Sequence, residues 1–318
     1  MLKLVSPPDM KKIVIGLVVL AALLLGAFYL FVPQQLSISL VTAVRANHHA
    51  TYRALVNEKD WHRWWPGTLQ ENKFELNQIN YWEGRQQYTS QEILQQFPGE
   101  PALQSQITLA AVDIDSTQIG WEVQVDRSLN PIRHWKNYRL ALRLQKNMDQ
   151  ILSAFGTFVE KKTNLYGMEI AETKVKDTIL MATKGMSEGW PTVSFTYSLI
   201  QRVRQYIAQK GAKETNLPMM HVLDLGNNRY ETMVGIPVDT LLRENKTIYL
   251  KRMVKGNILT GEVTGGPAKI EAALKQMAQY IRDYQKTPPA IPFQLLVTDR
   301  LKQPDSTQWV TQLYYPVY

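Results

Sequence analysis

The longest apolar run of the sequence lies near its beginning. Residues 13–32, IVIGLVVLAALLLGAFYLFV, contain no charged side chain, and as a helix they would span about 30 Å, the thickness of a bilayer core. The run ends in bulky and aromatic residues rather than in the small-residue site of a cleaved signal peptide. The pattern therefore predicts one transmembrane helix over 13–32 that stays attached to the chain.

The charges on either side of this run predict its orientation. Three lysines precede it, whereas Arg45 is the first basic residue after it. Because lysine and arginine are enriched on the cytoplasmic side of membrane segments, we expect residues 1–12 to form a cytoplasmic tail. The expected localisation is the inner (plasma) membrane, with the lipid bilayer as a partner of residues 13–32 and everything after Pro33 outside the cytoplasm.

Residues 36–164 alternate between apolar and polar positions and end in a long helical pattern. Period-two alternation begins at residues 36–40 and recurs up to residue 125, which predicts antiparallel strands. After Pro131 the apolar residues fall on one helix face. These are Leu140, Leu144, Met148, Ile151, Leu152, Phe155 and Val159. We predict a helix-grip, an antiparallel sheet around one long C-terminal helix, with an apolar cavity between them.

The short helix of this region ends in the motif Trp61-His62-Arg63-Trp64-Trp65-Pro66. Together with the order of elements, this motif resembles the START-like SRPBCC superfamily, specifically its polyketide cyclase/dehydrase branch, over about 36–164. The resemblance implies a hydrophobic ligand cavity but no particular reaction. Four tryptophans are candidate cavity walls, and ordinary core aromatics are the alternative interpretation. They are Trp64, Trp65, Trp82 and Trp121.

The last part of the chain repeats itself. Residues 205–207, Gln-Tyr-Ile, recur as residues 279–281, and Pro218 recurs as Pro292 at the same offset. Each copy has the pattern strand, amphipathic helix, strand, hairpin turn, strand, the first strands being expected at about 172–184 and 248–262. We predict two such units related by a pseudo-twofold axis, with one sheet, both helices on the same side of it, and a groove where the units meet.

This repeat resembles the GyrI-like small-molecule-binding domain, the effector-binding module of bacterial multidrug-responsive transcription activators, over about 168–318. The most specific part is the closing pattern of residues 292–296 and 309–317. The resemblance implies that a small molecule binds. Since no helix-turn-helix pattern accompanies the domain, we predict no nucleic-acid partner.

One position departs from the family pattern. The family usually carries a glutamate, followed two residues later by a tyrosine, where this chain has Gln294 and Leu296. A buried amide cannot neutralise a desolvated cation, so the departure favours a neutral amphiphile or an anion. Glu231, in the equivalent strand of the first repeat, could supply a charge instead. Three aromatic residues complete the candidate ligand-binding set. They are Trp190, Tyr197 and Trp309.

Composition excludes several classes of protein. The chain is 45% hydrophobic and 20% charged, which excludes a disordered protein. It has no cysteine, so disulfides, thiolate metal sites, iron–sulfur clusters and cysteine nucleophiles are excluded. The net charge of +8 is spread along the chain without a dense basic stripe, which argues against a nucleic-acid surface.

No catalytic constellation can be assembled from the sequence. Residues 185–189 match G-x-S-x-G, but no aspartate lies between Ser187 and His221, so the triad order of a hydrolase is missing. The five histidines lack metal-ligand spacing, and Asp113 with Asp115 is typical of a solvated hairpin end. We therefore predict no catalytic residue, no metal and no cofactor.

These patterns lead to one expectation of fold and three of function. The fold is α+β: a transmembrane helix, a helix-grip and a duplicated βαββ domain. The expected function is membrane-anchored, non-enzymatic binding of a hydrophobic or amphiphilic small molecule in one or both cavities. A cavity enzyme, such as a cyclase or hydrolase acting on a lipophilic substrate, is the first alternative. A protein-interaction module with filled cavities is the second.

Overall fold

The computed structural model describes residues 10–31, 36–70, 73–87, 90–96, 103–125, 130–176 and 179–318. The chain divides into two compact units, Met1–Glu160 and Lys161–Tyr318. Both are built from α-helices and antiparallel strands, as the predicted α+β class requires.

The predicted N-terminal helix is present as α1, Met10–Phe31. A bilayer span requires about 20 consecutive apolar residues, and no helix in the described part of the chain reaches the necessary combination of length and apolarity. The predicted transmembrane helix and the bilayer partner are therefore unsupported, and the predicted inner-membrane localisation, which depended on that helix, is wrong. Residues 1–9 of the expected cytoplasmic tail, and residues 32–35, lie outside the described residues.

The first unit contains one antiparallel sheet. Its strands are β1 Leu36–Val44, β2 Thr68–Gln70, β3 Lys73–Leu76, β4 Ile79–Gln87, β5 Ser90–Gln96, β6 Leu103–Asp113 and β7 Ser116–Val125. They lie in the order β1-β7-β6-β5-β4-β3-β2, so the first strand of the unit pairs with the last. That pairing runs from Leu36 opposite Val125 to Val44 opposite Thr117.

Two helices and a 3₁₀ turn accompany this sheet: α2 His48–Val56, the turn Glu58–Arg63, and α3 Pro131–Val159. Helix α3 begins after Asn130, whose side-chain oxygen accepts hydrogen bonds from the backbone N–H groups of Ile132 and Arg133. It packs against β1, β7 and α2. The predicted stripe of apolar residues is buried from Leu144 onward, because this face of the helix covers the sheet.

The second unit contains the predicted duplication. Its helices are α4 Lys162–Tyr166, α5 Val193–Gln209 and α6 Pro267–Asp283. Its strands are β8 Ala171–Lys174, β9 Ile179–Glu188, β10 Met219–Asp224, β11 Arg229–Pro237, β12 Tyr249–Arg252, β13 Asn257–Thr264, β14 Phe293–Leu296 and β15 Val310–Val317. They form one sheet in the order β12-β9-β11-β10-β14-β15-β13-β8.

This strand order is symmetric about its centre, where β10 pairs with β14. The first repeat contributes β9, β11 and β10, and the second contributes β13, β15 and β14 in the mirrored positions. The stretches predicted as single strands over 172–184 and 248–262 are each two strands, one at an edge of the sheet and one next to the opposite edge strand. Strand β8 pairs with β13 of the second repeat, and β12 pairs with β9 of the first. The two repeats thus exchange edge strands.

Candidate binding site

The register of the second sheet decides which side chains share a face. Met220 lies opposite both Val234 and Gln294, so these three side chains project to the same side. Met220 and Val234 belong to the apolar core that α5 covers, which makes this the helix side. Met219 lies opposite Gly235 and Leu295, and these residues face the other side, here called the open side.

A pocket of about 200 Å³ lies on the helix side, here called the helix-side groove. Its lining comes from the loop between β9 and α5, from the β10–β11 hairpin, from α6, and from β14 with the residue before it. The lining residues are Trp190, Met220, His221, Val222, Asp224, Tyr230, Glu271, Leu274, Pro292, Phe293 and Gln294. The predicted groove between the two repeats is therefore present as a pocket.

Gln294 is the most unusual member of this lining. Its side chain is 2% exposed, and its Oε1 accepts no hydrogen bond within the described residues. Buried acceptors are almost always paired, because an unpaired one loses its hydration without compensation. The sequence singled out this position, and the structure places an unsatisfied acceptor there.

The polar character of the groove comes from neutral and acidic groups. Asp224 and Glu271 are its charged lining residues, and Glu271 pairs with exposed Lys275 at 2.7 Å. Among the described lining residues there is no lysine or arginine. Trp190 meets Tyr230 edge to face, with ring centroids 5.7 Å apart, at one end of the groove. An anion would therefore face like charges here.

Glu231 cannot take the role of the missing glutamate. It lies opposite Leu223 and Met186, three positions from Val234, so it projects to the open side rather than toward Gln294. Its Oε1 accepts a 2.7 Å ion-pair hydrogen bond from Lys184. The prediction that Glu231 supplies the charge of the family's glutamate therefore fails, because strand alternation places residues 231 and 294 on opposite faces of the sheet.

Three other candidate residues lie outside both pockets described in this unit. Leu296 is 4% exposed and belongs to the core under α5. Tyr197 accepts a 2.7 Å hydrogen bond from the backbone N–H of Arg300. Trp309 is buried beneath the Arg300 guanidinium, whose central carbon lies 4.6 Å from the ring centroid. Tyr197 and Trp309 hold the segment that carries Arg300, and burial lowers the pKa of this arginine to about 10.

A second pocket, of about 340 Å³, lies on the open side and is here called the open-side pocket. Methionines, other apolar side chains and several basic groups form its lining. The lining residues are Leu180, Ala182, Lys184, Met219, Met220, His221, Met233, Gly235, Lys251, Arg252, Met253, Val254, Ala290, Ile291, Phe293 and Pro316. Sequence reasoning missed this pocket. The sequence did contain a signal for it. In β10, Met219 and His221 alternate with Met220 and Val222, so both faces of the strand carry large side chains that could line a pocket.

The tryptophans of the first unit belong mostly to one aromatic cluster. Trp65 stacks on Trp61 with ring centroids 5.8 Å apart, and its Nε1 donates to the Glu75 carbonyl at 3.1 Å. Trp64 packs on Phe155 of α3 at 4.7 Å. These contacts join the strand side of the unit to its long helix.

Two further tryptophans lie on separate strands of the same sheet, Trp121 on β7 and Trp82 on β4. Trp121 is 1% exposed, and its Nε1 donates to Ser105 Oγ at 2.9 Å. Its ring meets that of Tyr81 at 6.5 Å. Trp82 follows Tyr81 in β4 and lies beneath Lys73 Nζ at 5.0 Å, apart from the other three. Trp64, Trp65 and Trp121 are thus brought together through Tyr81, whereas Trp82 is not.

Residues 185–189, which match G-x-S-x-G, lie at the end of strand β9. Ser187 lies in β9 opposite Tyr230, and its Oγ donates to the Gly189 carbonyl at 3.0 Å. In the described part of the chain no group of three or more histidine, aspartate and glutamate side chains is arranged to hold a metal ion. Asp113 Oδ1 accepts from the Ile114 backbone N–H at the β6–β7 hairpin.

Of the comparisons with known proteins, the one with solved structures found similar proteins. No protein-family model and no curated protein matches the chain. A cryo-EM structure of an EcmrR–DNA complex is 16% identical, with 58% of this chain and 71% of that chain aligned and a TM-score of 0.42.

Two smaller proteins align over about half of this chain. A hydrolase from Listeria innocua is 11% identical over 47% of this chain and 92% of its own, with a TM-score of 0.37. SAV2435 bound to tetraphenylphosphonium is 15% identical over 48% of this chain and 94% of its own, with a TM-score of 0.31.

Proposed function

We propose that the second unit binds a neutral, largely apolar small molecule that donates a hydrogen bond, and that it holds this molecule in the helix-side groove. The observation that carries the proposal is the buried Oε1 of Gln294 without a partner. An unsatisfied buried acceptor costs about 1–3 kcal/mol. A donor on the bound molecule would remove this cost only when the molecule is present, which couples binding to a gain in stability.

The charges of the groove support a neutral ligand over a charged one. The Gln294 amide cannot neutralise a buried cation, and the Asp224 and Glu271 carboxylates oppose an anion. The role is binding, as in sensing or carrying, rather than catalysis. Its support is the set of described lining residues of the groove, in which an amide, two exposed carboxylates and aromatic rings offer hydrogen bonds and apolar contacts to a ligand.

The same proposal assigns a family to each region. Residues 168–318 are a GyrI-like small-molecule-binding domain, supported by the mirrored strand order and by the position of Gln294 at the junction of the repeats. Residues 36–164 are a START-like SRPBCC domain, supported by a seven-stranded antiparallel sheet and the long helix α3 packed on it. The ligand cavity expected in this first domain would be walled by Trp64, Trp65 and Trp121.

The test uses N-phenyl-1-naphthylamine, a neutral fluorescent amphiphile with a single N–H donor. Titrated into the full chain, it should bind saturably with a rise in fluorescence. Gln294→Leu should weaken its binding about three- to tenfold, because the acceptor is lost. The same variant should raise the free energy of unfolding without ligand by about 1 kcal/mol, because the unsatisfied buried group is gone. Urea unfolding measures this second effect.

Two matched variants locate the binding. Gln205→Leu makes the same change at an exposed position of α5 and should leave the affinity unchanged. Leu274→Trp fills the groove from α6 and should abolish binding. Equal affinity of the dye for the Leu274→Trp protein and the natural protein would refute the proposal.

Gln294→Glu provides a test of charge selectivity. A carboxylate at this buried position would add to the acidic lining and favour a desolvated cation. We expect tetraphenylphosphonium to bind the Gln294→Glu protein at least about tenfold more tightly than the natural protein, measured by displacement of the dye. Equal affinity for both proteins would mean that residue 294 does not contact the ligand.

A further inference from the structure

The open-side pocket lies across the sheet from the helix-side groove and is the larger of the two. Its floor is built where the two repeats join, since Met219 of β10 lies opposite Leu295 of β14. Phe293 also lines the pocket, and its ring stacks on that of Tyr314 with centroids 5.0 Å apart. Met233 and Met253 add flexible thioether side chains. Methionine adapts to irregular apolar ligands, so this lining suits a flexible hydrocarbon body.

The charges at this pocket are opposite to those of the groove. Lys184, Lys251 and Arg252 line it, and among its described lining residues there is no aspartate or glutamate. Lys184 is engaged by Glu231 at 2.7 Å. Lys251 lies opposite Leu180, so it projects to the open side, and it is exposed without an ion-pair partner in the described part of the chain. An anionic group at the mouth would therefore meet an available ammonium group.

His221 supplies a polar atom within the same pocket. Its Nδ1 lies 2.7 Å from the Pro292 carbonyl oxygen, and since a carbonyl only accepts, Nδ1 carries the proton. That tautomer leaves Nε2 as an acceptor when the ring is neutral, and as a donor when the ring is charged.

We propose that the open-side pocket is a second ligand site, for a single-chain amphiphilic anion whose hydrocarbon body packs on Met219, Met233 and Phe293 and whose carboxylate meets Lys251. This site lies on the opposite face of the sheet from the helix-side groove, shares Met220, His221 and Phe293 with it as lining residues, and differs from it in charge preference. One unit would thus hold two small molecules of different charge, one on each face of the same sheet.

Gly235 offers a direct way to fill this pocket. It lines the pocket from β11, and a Cβ at this position would lie 3.9 Å from its nearest neighbours, the Cβ atoms of Ala182 and Leu180. A methyl group is therefore accommodated in ordinary contact, whereas a longer side chain must extend into the pocket. Gly235→Leu is the filling variant and Gly235→Ala is its matched control.

The experiment titrates decanoate, decan-1-ol and decyltrimethylammonium into the full chain by calorimetry, each below its micelle concentration. Decanoate should bind at least about tenfold more tightly than the cation of equal chain length. Lys251→Gln should weaken decanoate about threefold to fivefold and leave decan-1-ol unchanged, as expected for a solvent-exposed ion pair. Gly235→Leu should abolish decanoate binding, and Gly235→Ala should retain it.

A second measurement keeps the result independent of the stability of the variants. In the natural protein labelled with ¹³C-methyl methionine, decanoate should shift the Met219 and Met233 methyl resonances, assigned from single Met→Leu variants. The dye that reports on the helix-side groove should still bind the Gly235→Leu protein, so failure of one site is distinguishable from failure of the other. Decanoate that binds without shifting these methionines, or no more tightly than the cation, would overturn the proposal.

Discussion

Two buried side-chain amides of this chain have opposite surroundings. Asn147 of α3 is fully buried, and its Nδ2 donates to the Leu76 carbonyl and to Tyr81 Oη, both at 2.9 Å. Its Oδ1 accepts from Asn77 Nδ2 at 2.7 Å. A satisfied amide of this kind ties α3 to the sheet. Gln294 is also buried and lines the helix-side groove, but its Oε1 accepts no hydrogen bond within the described residues. Its amide oxygen therefore ties no two elements together, in contrast to that of Asn147.

At the same scale, His221 makes stability depend on pH. Burial lowers the pKa of His221 below its ordinary value of 6.5, against smaller opposing effects of the Pro292 carbonyl and Glu231, while Lys184 lowers it further. Below about pH 6.5 the unfolded chain binds a proton that the folded chain does not, so stability falls as the pH falls. The melting temperature should therefore drop more steeply between pH 7.5 and about pH 5.5 than in His221→Gln. Parallel curves for the two proteins would contradict this assignment.

At the scale of elements, the contact of α5 with β9 depends on a residue without a side chain. Gly185 lies on the helix side of β9, opposite Thr232. A Cβ there would lie 2.7 Å from Phe195 Cζ and 3.1 Å from Leu199 Cδ2. Gly185, the first glycine of the G-x-S-x-G match, therefore allows α5 to pack closely on β9.

Gly185→Ala should lower the free energy of unfolding by about 1–3 kcal/mol, since it overpacks the interface of α5 and β9. Gly235→Ala, on the open side of the same strand pair, should be neutral or stabilising by up to about 1 kcal/mol, because the methyl group has space and the unfolded chain loses freedom. Urea unfolding of both variants gives the comparison. Equal destabilisation by both would mean that strand propensity, not packing, sets the result.

At the scale of the whole second unit, each repeat is paired with an edge strand that precedes the other repeat in sequence, and these pairings hold the two repeats together. Strand β8 precedes β9 in sequence but pairs with β13, and β12 precedes β13 but pairs with β9. Within the described residues, the ladder between β10 and β14 at the centre is short, with Met219 opposite Leu295 and Met220 opposite Gln294. Each repeat alone would therefore lack a strand that covers its outer edge.

We therefore expect the fragments 161–247 and 248–318, produced separately, to lack a cooperative thermal transition, whereas 161–318 unfolds in one step. Mixing the two fragments should restore the transition, because each supplies the edge strand of the other. Circular dichroism during heating measures this. Independent folding of either fragment would show that the exchanged strands are dispensable.

The sequence by itself determined the repeat, the order of its elements and the identity of residue 294, because period-two and helical patterns are local and a duplication is visible without coordinates. The single strand predicted over 172–184 was wrong because strand pairing is non-local: β8 pairs with β13, whereas β9 pairs with β11 and β12. The predicted role of Glu231 was wrong for a related reason. Alternation fixes the relative faces within one strand, but only the pairing of β11 with β10 and of β10 with β14 relates Glu231 to Gln294 and puts them on opposite sides.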